Sequence, residues 1–167
     1  LDSLSSQAVA RLTPGHSSEL LILDPQGHVE HAAAVLDDGA TTWLIADRAD
    51  APGLADWLRR MRFRLRVDPR DASDEFAVIG GTAAAVRRRG VAAPDGVPLV
   101  WHDPWPGVSA GGWAYAAAEP HPGAGRDWAE GLVAPDELDR IIADAASGSV
   151  SLAGTVAADA LRIAAWR

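Results

Sequence analysis

"LILDPQGHVEHAAAVLDDGATTWLIAD", residues 21–47, holds three apolar runs separated by two turn signals, Asp24-Pro25-Gln26-Gly27 and Asp37-Asp38-Gly39. Turns this short suit antiparallel neighbours, so the stretch reads as a meander of strands Glu19–Leu23, His28–Leu36 and Thr41–Ala46. Period-two alternation places Val29, His31, Ala33 and Val35 on one face of the middle strand and His28, Glu30, Ala32 and Ala34 on the other. His28 and His31 form an HxxH pair, but on a strand they point to opposite faces, so no metal site is expected from them. The run of alanines suits either of two arrangements: a flat ligand lying close to the backbone, or a helix packed tightly against the sheet.

Outward from the meander, Leu1 and Leu4 open a segment that reads as helix, ended by Pro14-Gly15. Downstream, Leu54, Trp57, Leu58 and Met61 show the i, i+3, i+4, i+7 spacing of an amphipathic helix over 54–61. The period then switches to two, with Met61, Phe63, Leu65 and Val67 alternating with Arg60, Arg62, Arg64 and Arg66. This predicts a strand with one apolar face and one arginine face. A strand at Phe76–Ile79, the pair Gly80-Gly81 and a short Ala-rich helix ending at Arg87-Arg88-Arg89-Gly90 follow. Residues 91–131, rich in Pro, Gly and Trp, read as loops around a sheet edge, with short strand candidates at Pro98–Trp101 and Trp113–Ala116. Pro135, Asp136 and Glu137 open a helix with Leu138, Ile141, Ile142 and Ala145 as its buried stripe and Gly148 as its stop. Thr155–Arg167 reads as a last helix on Val156, Ala160, Leu161 and Ile163. The expectation is a single α+β domain over 1–167, a mainly antiparallel sheet flanked by helices, with the appearance of truncation at both ends.

Composition narrows the chemistry. A chain of 167 residues, 48% hydrophobic, is long enough for one domain with its own core. It has no cysteine, which removes a thiol nucleophile, a CxxC pair and thiolate cages for zinc or iron–sulfur clusters from these residues. All 15 positive residues are arginine, so these residues offer no lysine for a Schiff base or a Walker-type phosphate loop. A formal charge of −8 disfavours nucleic acid as a partner. No apolar run approaches a membrane span, and LDSLSSQ lacks a signal-peptide pattern, so a cytoplasmic protein without a membrane partner is expected.

Several constellations admit a structural and a functional reading. The arginine face at 60–66 suits a carboxylate tail held by bidentate contacts, or a solvated face paired with acids. Ser3, Ser5, Ser6 and His16 lack a GxSxG elbow and an acid to orient the histidine, so no catalytic residue is assigned among them. Gly80-Gly81-Thr82 lies between a strand and a helix but lacks GxGxxG spacing, and a tight turn explains it. Trp101, Trp105, Trp113 and Tyr115 suit stacking on a heteroaromatic ring or Pro-Trp contacts that hold a loop.

In their order, "LDSLSSQAV…ELLILDPQGHVEHAAAVLDDGATTWLIAD", "DWLRRMRFRLRVDPRDASDEFAVIG", "GVSAGGWAY" and "LAGTVAADALRIAAWR" resemble segments of the folate-binding aminomethyltransferase family. That family includes the glycine-cleavage T-protein and the YgfZ-type folate-binding proteins linked to iron–sulfur cluster maintenance. The resemblance implies the α+β folate-binding domain of the T-protein, and departures from the pattern separate its two branches. Where the T-protein's middle strand resembles G-G-x-x-D-D, with a carboxylate that helps activate the folate nitrogen, this chain carries His31 and Ala32. Residues 107–115 resemble its G-Y-T-G-E-x-G-F-E-I loop, yet Val108 stands for the tyrosine and Ala114 for the pterin-binding glutamate. A family arginine is Ala158 here, whereas Asp159 and Arg162 keep their places.

These losses point away from aminomethyl transfer and toward the YgfZ-type branch, whose K-G-C-Y-x-G-Q-E motif the terminal "RIAAWR" resembles in its approach but does not contain. The resemblance implies a tetrahydrofolate or one-carbon derivative lying on His31, Ala33 and Val35, with Trp43 on the neighbouring strand and Trp113 or Tyr115 across the pocket. It implies Arg62 and Arg64 for the glutamate tail, a further contact at Arg162, and iron–sulfur proteins as partners. Aminomethyl transfer and an interaction domain with a vestigial pocket are the alternatives.

Overall fold

Two aspartate turns set the first layer of the structure, a computed structural model that describes residues 5–7, 9–107 and 120–167. Strands β1 (Ser17–Leu23), β2 (Val29–Asp37) and β3 (Thr42–Ile45) form an antiparallel sheet in that order. Between β1 and β2, Asp24 Oδ1 accepts from the N–H groups of Gln26 (2.9 Å) and His28 (2.7 Å), while Gly27 takes φ 89°. Between β2 and β3, Asp38 Oδ1 accepts from Ala40 N–H (3.0 Å) and Thr41 N–H (2.6 Å), and Gly39 sits at φ 95°. Each carboxylate satisfies the turn's backbone donors and each glycine supplies the left-handed residue, which is why these short loops close.

Helix α1 (Ala51–Met61) follows, with Pro52 in its first turn, where no backbone donor is wasted. Its Leu54 packs with Leu20, Ile22, Ala33 and Val35 in one core, joined by partly buried Leu44, Trp57 and Leu58. The small Ala33 therefore admits a helix.

The second sheet is antiparallel in the order β4-β6-β5, with β4 at Ala77–Gly81, β5 at Val100–His102 and β6 at Ala129–Val133. Its central strand, β6, lies in the stretch expected to be loop. The composition of β6 hides it, because Gly131 carries no side chain and a Cβ there would lie 2.7 Å from Val86 Cγ1. Gly80 belongs to β4 and does not form a turn; a Cβ on it would meet the Trp128 ring at 2.5 Å. Thr82 then caps α2 (Ala83–Arg87), its Oγ1 accepting from Ala85 N–H at 3.2 Å.

The two sheets are tied where β5 crosses β1. The Trp101 indole donates to the Ser18 carbonyl (2.7 Å), and His102 N–H donates to Ser17 Oγ (2.8 Å). Around this seam Leu36, Leu99, Trp101 and Leu132 make a second core. Thus Trp101 holds layers together.

Helix α3 (Pro135–Ala146) buries Ile141 but leaves Ile142 52% exposed, and Gly148 follows it at φ 79°. Helix α4 (Thr155–Ala164) forms as its periodicity predicts, yet Val156, Leu161 and Ile163 are exposed. Among the described residues no helix is long and apolar enough to cross a membrane.

Two further sequence expectations are corrected. The described part of the opening segment is not an α-helix: Ser5 bridges Ile22 and Val9–Arg11 is a short 3-10 turn, while Leu1 and Leu4 lie outside the described residues. The arginine-rich stretch is not a strand either. After α1 it turns at Phe63, which adopts φ 44°, and continues without strand pairing. Phe63, Leu65 and Val67 stay 79%, 61% and 51% exposed, so the apolar face that the alternation implied is not buried. The strand candidate at Trp113–Ala116 lies outside the described residues.

Candidate binding cleft

Among the described residues β3 is the outer strand of its sheet, paired on one side only with β2. Along its free side runs a cleft of about 800 Å³, within the range of small-molecule sites. Four structures enclose it: residues 40–46, the Leu54–Met61 face of α1, the segment 65–73, and Phe76 with Val78 and Leu132 from the second layer.

Its aromatic part is Trp43 against Phe76, ring centroids 5.3 Å apart and nearly perpendicular. The Trp43 indole donates to Asp38 Oδ2 at 2.7 Å, which fixes the ring. Burial pushes the Asp38 carboxyl up, but the hydrogen bonds from Trp43, Thr41 and Ala40 outweigh it and hold the group below the usual carboxylate range. The cationic part is Arg62, Arg66 and Arg70. Arg70 is paired with Glu75, and Arg62 reaches Asp68 at a loose 3.5 Å. Arg66 has no ion-pair partner among the described residues. An aromatic surface and an uncommitted guanidinium in one slot suit a flat ligand that carries a carboxylate.

The expected ligand face is placed elsewhere. His31, Ala33 and Val35 do share one face of β2, but α1 lies on it: Val35 is 0% and Ala33 7% exposed. His31 Nδ1 meets both carboxylate oxygens of Asp50 at 3.0 Å, and its ring stands edge-on to Trp57 at 6.3 Å. Trp43 is not beside them. The register pairs it with Leu36 and pairs Leu44 with Val35, so Trp43 belongs to the opposite face. Arg62 lines the cleft; Arg64 is exposed and not part of its wall. Arg162 sits on α4, bonded to Asp159 and to the Arg167 carbonyl (2.7 Å). Trp113 and Tyr115 lie outside the described residues.

Sequence reasoning placed Arg66 on the arginine face and missed Arg70 and Phe76 as wall residues. The available signal was Pro69, which cannot donate to a ladder and so argues against a continuous strand through 61–70.

A separate charged cluster is structural. Buried Asp103 accepts from Arg126 Nε (2.6 Å) and Arg167 Nε (3.1 Å), and Arg167 also pairs with Glu19. These bonds, with Trp105 Nε1 donating to the Ala165 carbonyl (2.8 Å), tie the residues after α4 to the sheets. Nearby, burial pushes the Glu130 carboxyl up, partly offset by a hydrogen bond from Trp128.

No family model matches the chain, and searches of curated proteins and of solved structures return no match.

Proposed function

We propose that this chain is a folate-binding accessory protein of the YgfZ type that supports iron–sulfur cluster assembly or repair and binds a tetrahydrofolate without aminomethyl transfer. The observation that carries the reading is the pairing of Trp43 and Phe76 with Arg62 and Arg66 along one cleft. A reduced folate has the matching parts, a flat pterin and a glutamate tail. The order of the family-like segments supports the same assignment, with the ligand beside β3 and not on the helix-covered face of β2. His31 and Ala32 stand where the family's transferases resemble G-G-x-x-D-D, so no carboxylate there serves folate activation. Binding without turnover follows.

A tryptophan-fluorescence titration with tetrahydrofolate and 5-formyltetrahydrofolate tests the proposal. Saturable quenching at micromolar ligand is expected, weakened about tenfold by Arg62→Ala with Arg66→Ala, the loss of about one charge-assisted contact. No response to either folate overturns it. Turnover of an aminomethyl donor would instead restore the transferase reading. One observation favours a second reading, an interaction domain with a vestigial pocket: Leu54 and Trp57 already fill the face of β2 that a folate would have used.

A further inference from the structure

The cleft is also a gap in a layer. Among the described residues β3 has a partner on one side only, and no other backbone hydrogen bond reaches Thr42–Ile45. Alternate N–H and C=O groups on its outer edge therefore stand open beside the cleft, the usual condition for adding a strand. The walls fit that use. Beyond the edge of β3 the cleft has α1 on one side and Phe76 with Val78 on the other, so a strand laid there would send alternate side chains to the two layers.

Charge selects the occupant. Residues 59–70 carry Arg59, Arg60, Arg62, Arg64, Arg66 and Arg70 against one acid, Asp68, in a chain of formal charge −8. Of these, Arg62, Arg66 and Arg70 line the cleft together with Asp68 and Asp71, and Arg66 has no ion-pair partner among the described residues.

We propose that the β3 edge binds an extended segment of a partner protein in which acidic and apolar residues alternate, adding it to the first sheet as a fourth strand. Its apolar residues enter the Phe76 and Val78 side of the cleft, and its carboxylates, on the other face, meet Arg62 at the end of α1 and Arg66. The inference stands on the edge strand and the arginines and does not depend on the folate reading.

The test uses the 167-residue chain and a fluorescein-labelled peptide alternating glutamate and valine, followed by anisotropy. Comparison peptides have the same composition with the glutamates in one block, or carry N-methyl groups on one or the other alternate set of backbone nitrogens. The alternating peptide is expected to bind and the block peptide to bind about tenfold more weakly. Methylation of the set that faces β3 should cost at least about tenfold, and methylation of the other set little, because only one set donates to the edge. Amide exchange should slow at alternate residues of 42–45, and Arg62→Ala with Arg66→Ala should weaken binding. Absence of binding, equal tolerance of both methylated peptides, or protection away from β3 would overturn the proposal. Tetrahydrofolate titrated separately reads the other proposal, so the two fail independently.

Discussion

β2, an apolar run set between two turns, and the arginine-rich stretch after α1, a strict alternation of two kinds of side chain, both read as strands in the sequence, and only β2 is one. β2 has a neighbour on each side and a helix over one face, so Val35 is fully buried. Among the described residues the arginine stretch has neither, and Leu65 stays 61% exposed. Alternation states which faces a strand would have; pairing needs a partner within reach. For β2 the partners arrive through turns that Asp24 and Asp38 close, whereas the arginine stretch leaves a helix at Phe63 in a left-handed conformation and meets Pro69 soon after.

Placing the same charge in both regions breaks the comparison most severely. Val35→Asp puts a carboxylate among Leu20, Ile22 and Leu54 and is expected to cost more than about 4 kcal/mol, enough to remove the thermal transition in circular dichroism. Leu65→Asp should change stability by no more than about 0.5 kcal/mol. A large effect at Leu65 would mean that the arginine stretch has a hidden apolar partner. Next in size is the turn that brings β3 to β2. Asp38 is 4% exposed and accepts three hydrogen bonds, so Asp38→Ala should cost about 2–3 kcal/mol by urea denaturation. Its pH dependence has a definite sign. The folded Asp38 carboxyl titrates below its unfolded value of about 3.9, so its stabilisation is full above that pH and is lost as pH falls through the folded value. The gap between the native chain and Asp38→Asn should therefore narrow in acid. A gap that widened would show that the three donors do not govern the carboxyl.

How much was legible follows the same division. The meander, α1, α3 and α4 could be read because turn chemistry or helical spacing is local and lies within a few neighbouring residues. β6 could not: Gly131 lacks a side chain because Val86 and Val91 need the room, and Ala129 packs with Val86 and Val100, a requirement set by residues distant in sequence. At the candidate site the shared face of His31, Ala33 and Val35 was readable from parity alone. Which face Trp43 joins depends on a cross-strand register, Trp43 opposite Leu36, that no local pattern states. The closure of the His31 face by Trp57 needed the path of α1, and the cleft needed to be seen between segments far apart in the chain.

The smallest effect lies where the arginine stretch leaves α1. Phe63 holds φ 44° with its ring 79% exposed, so it bears left-handed strain while burying little. Phe63→Gly removes that strain, which is about 1–2 kcal/mol for an L-residue, but adds unfolded-state freedom worth about 0.5–1 kcal/mol. The difference is a net gain of about 0.5 kcal/mol, measured as a higher urea midpoint with an unchanged slope. In a paired strand the same substitution would lose a packed aromatic side chain and weaken the ladder. A lower midpoint for Phe63→Gly would therefore show that residues 61–67 pair as their alternation predicts, and the contrast with β2 would dissolve. A higher one fixes the turn at Phe63 as what keeps the arginine wall apart from β3.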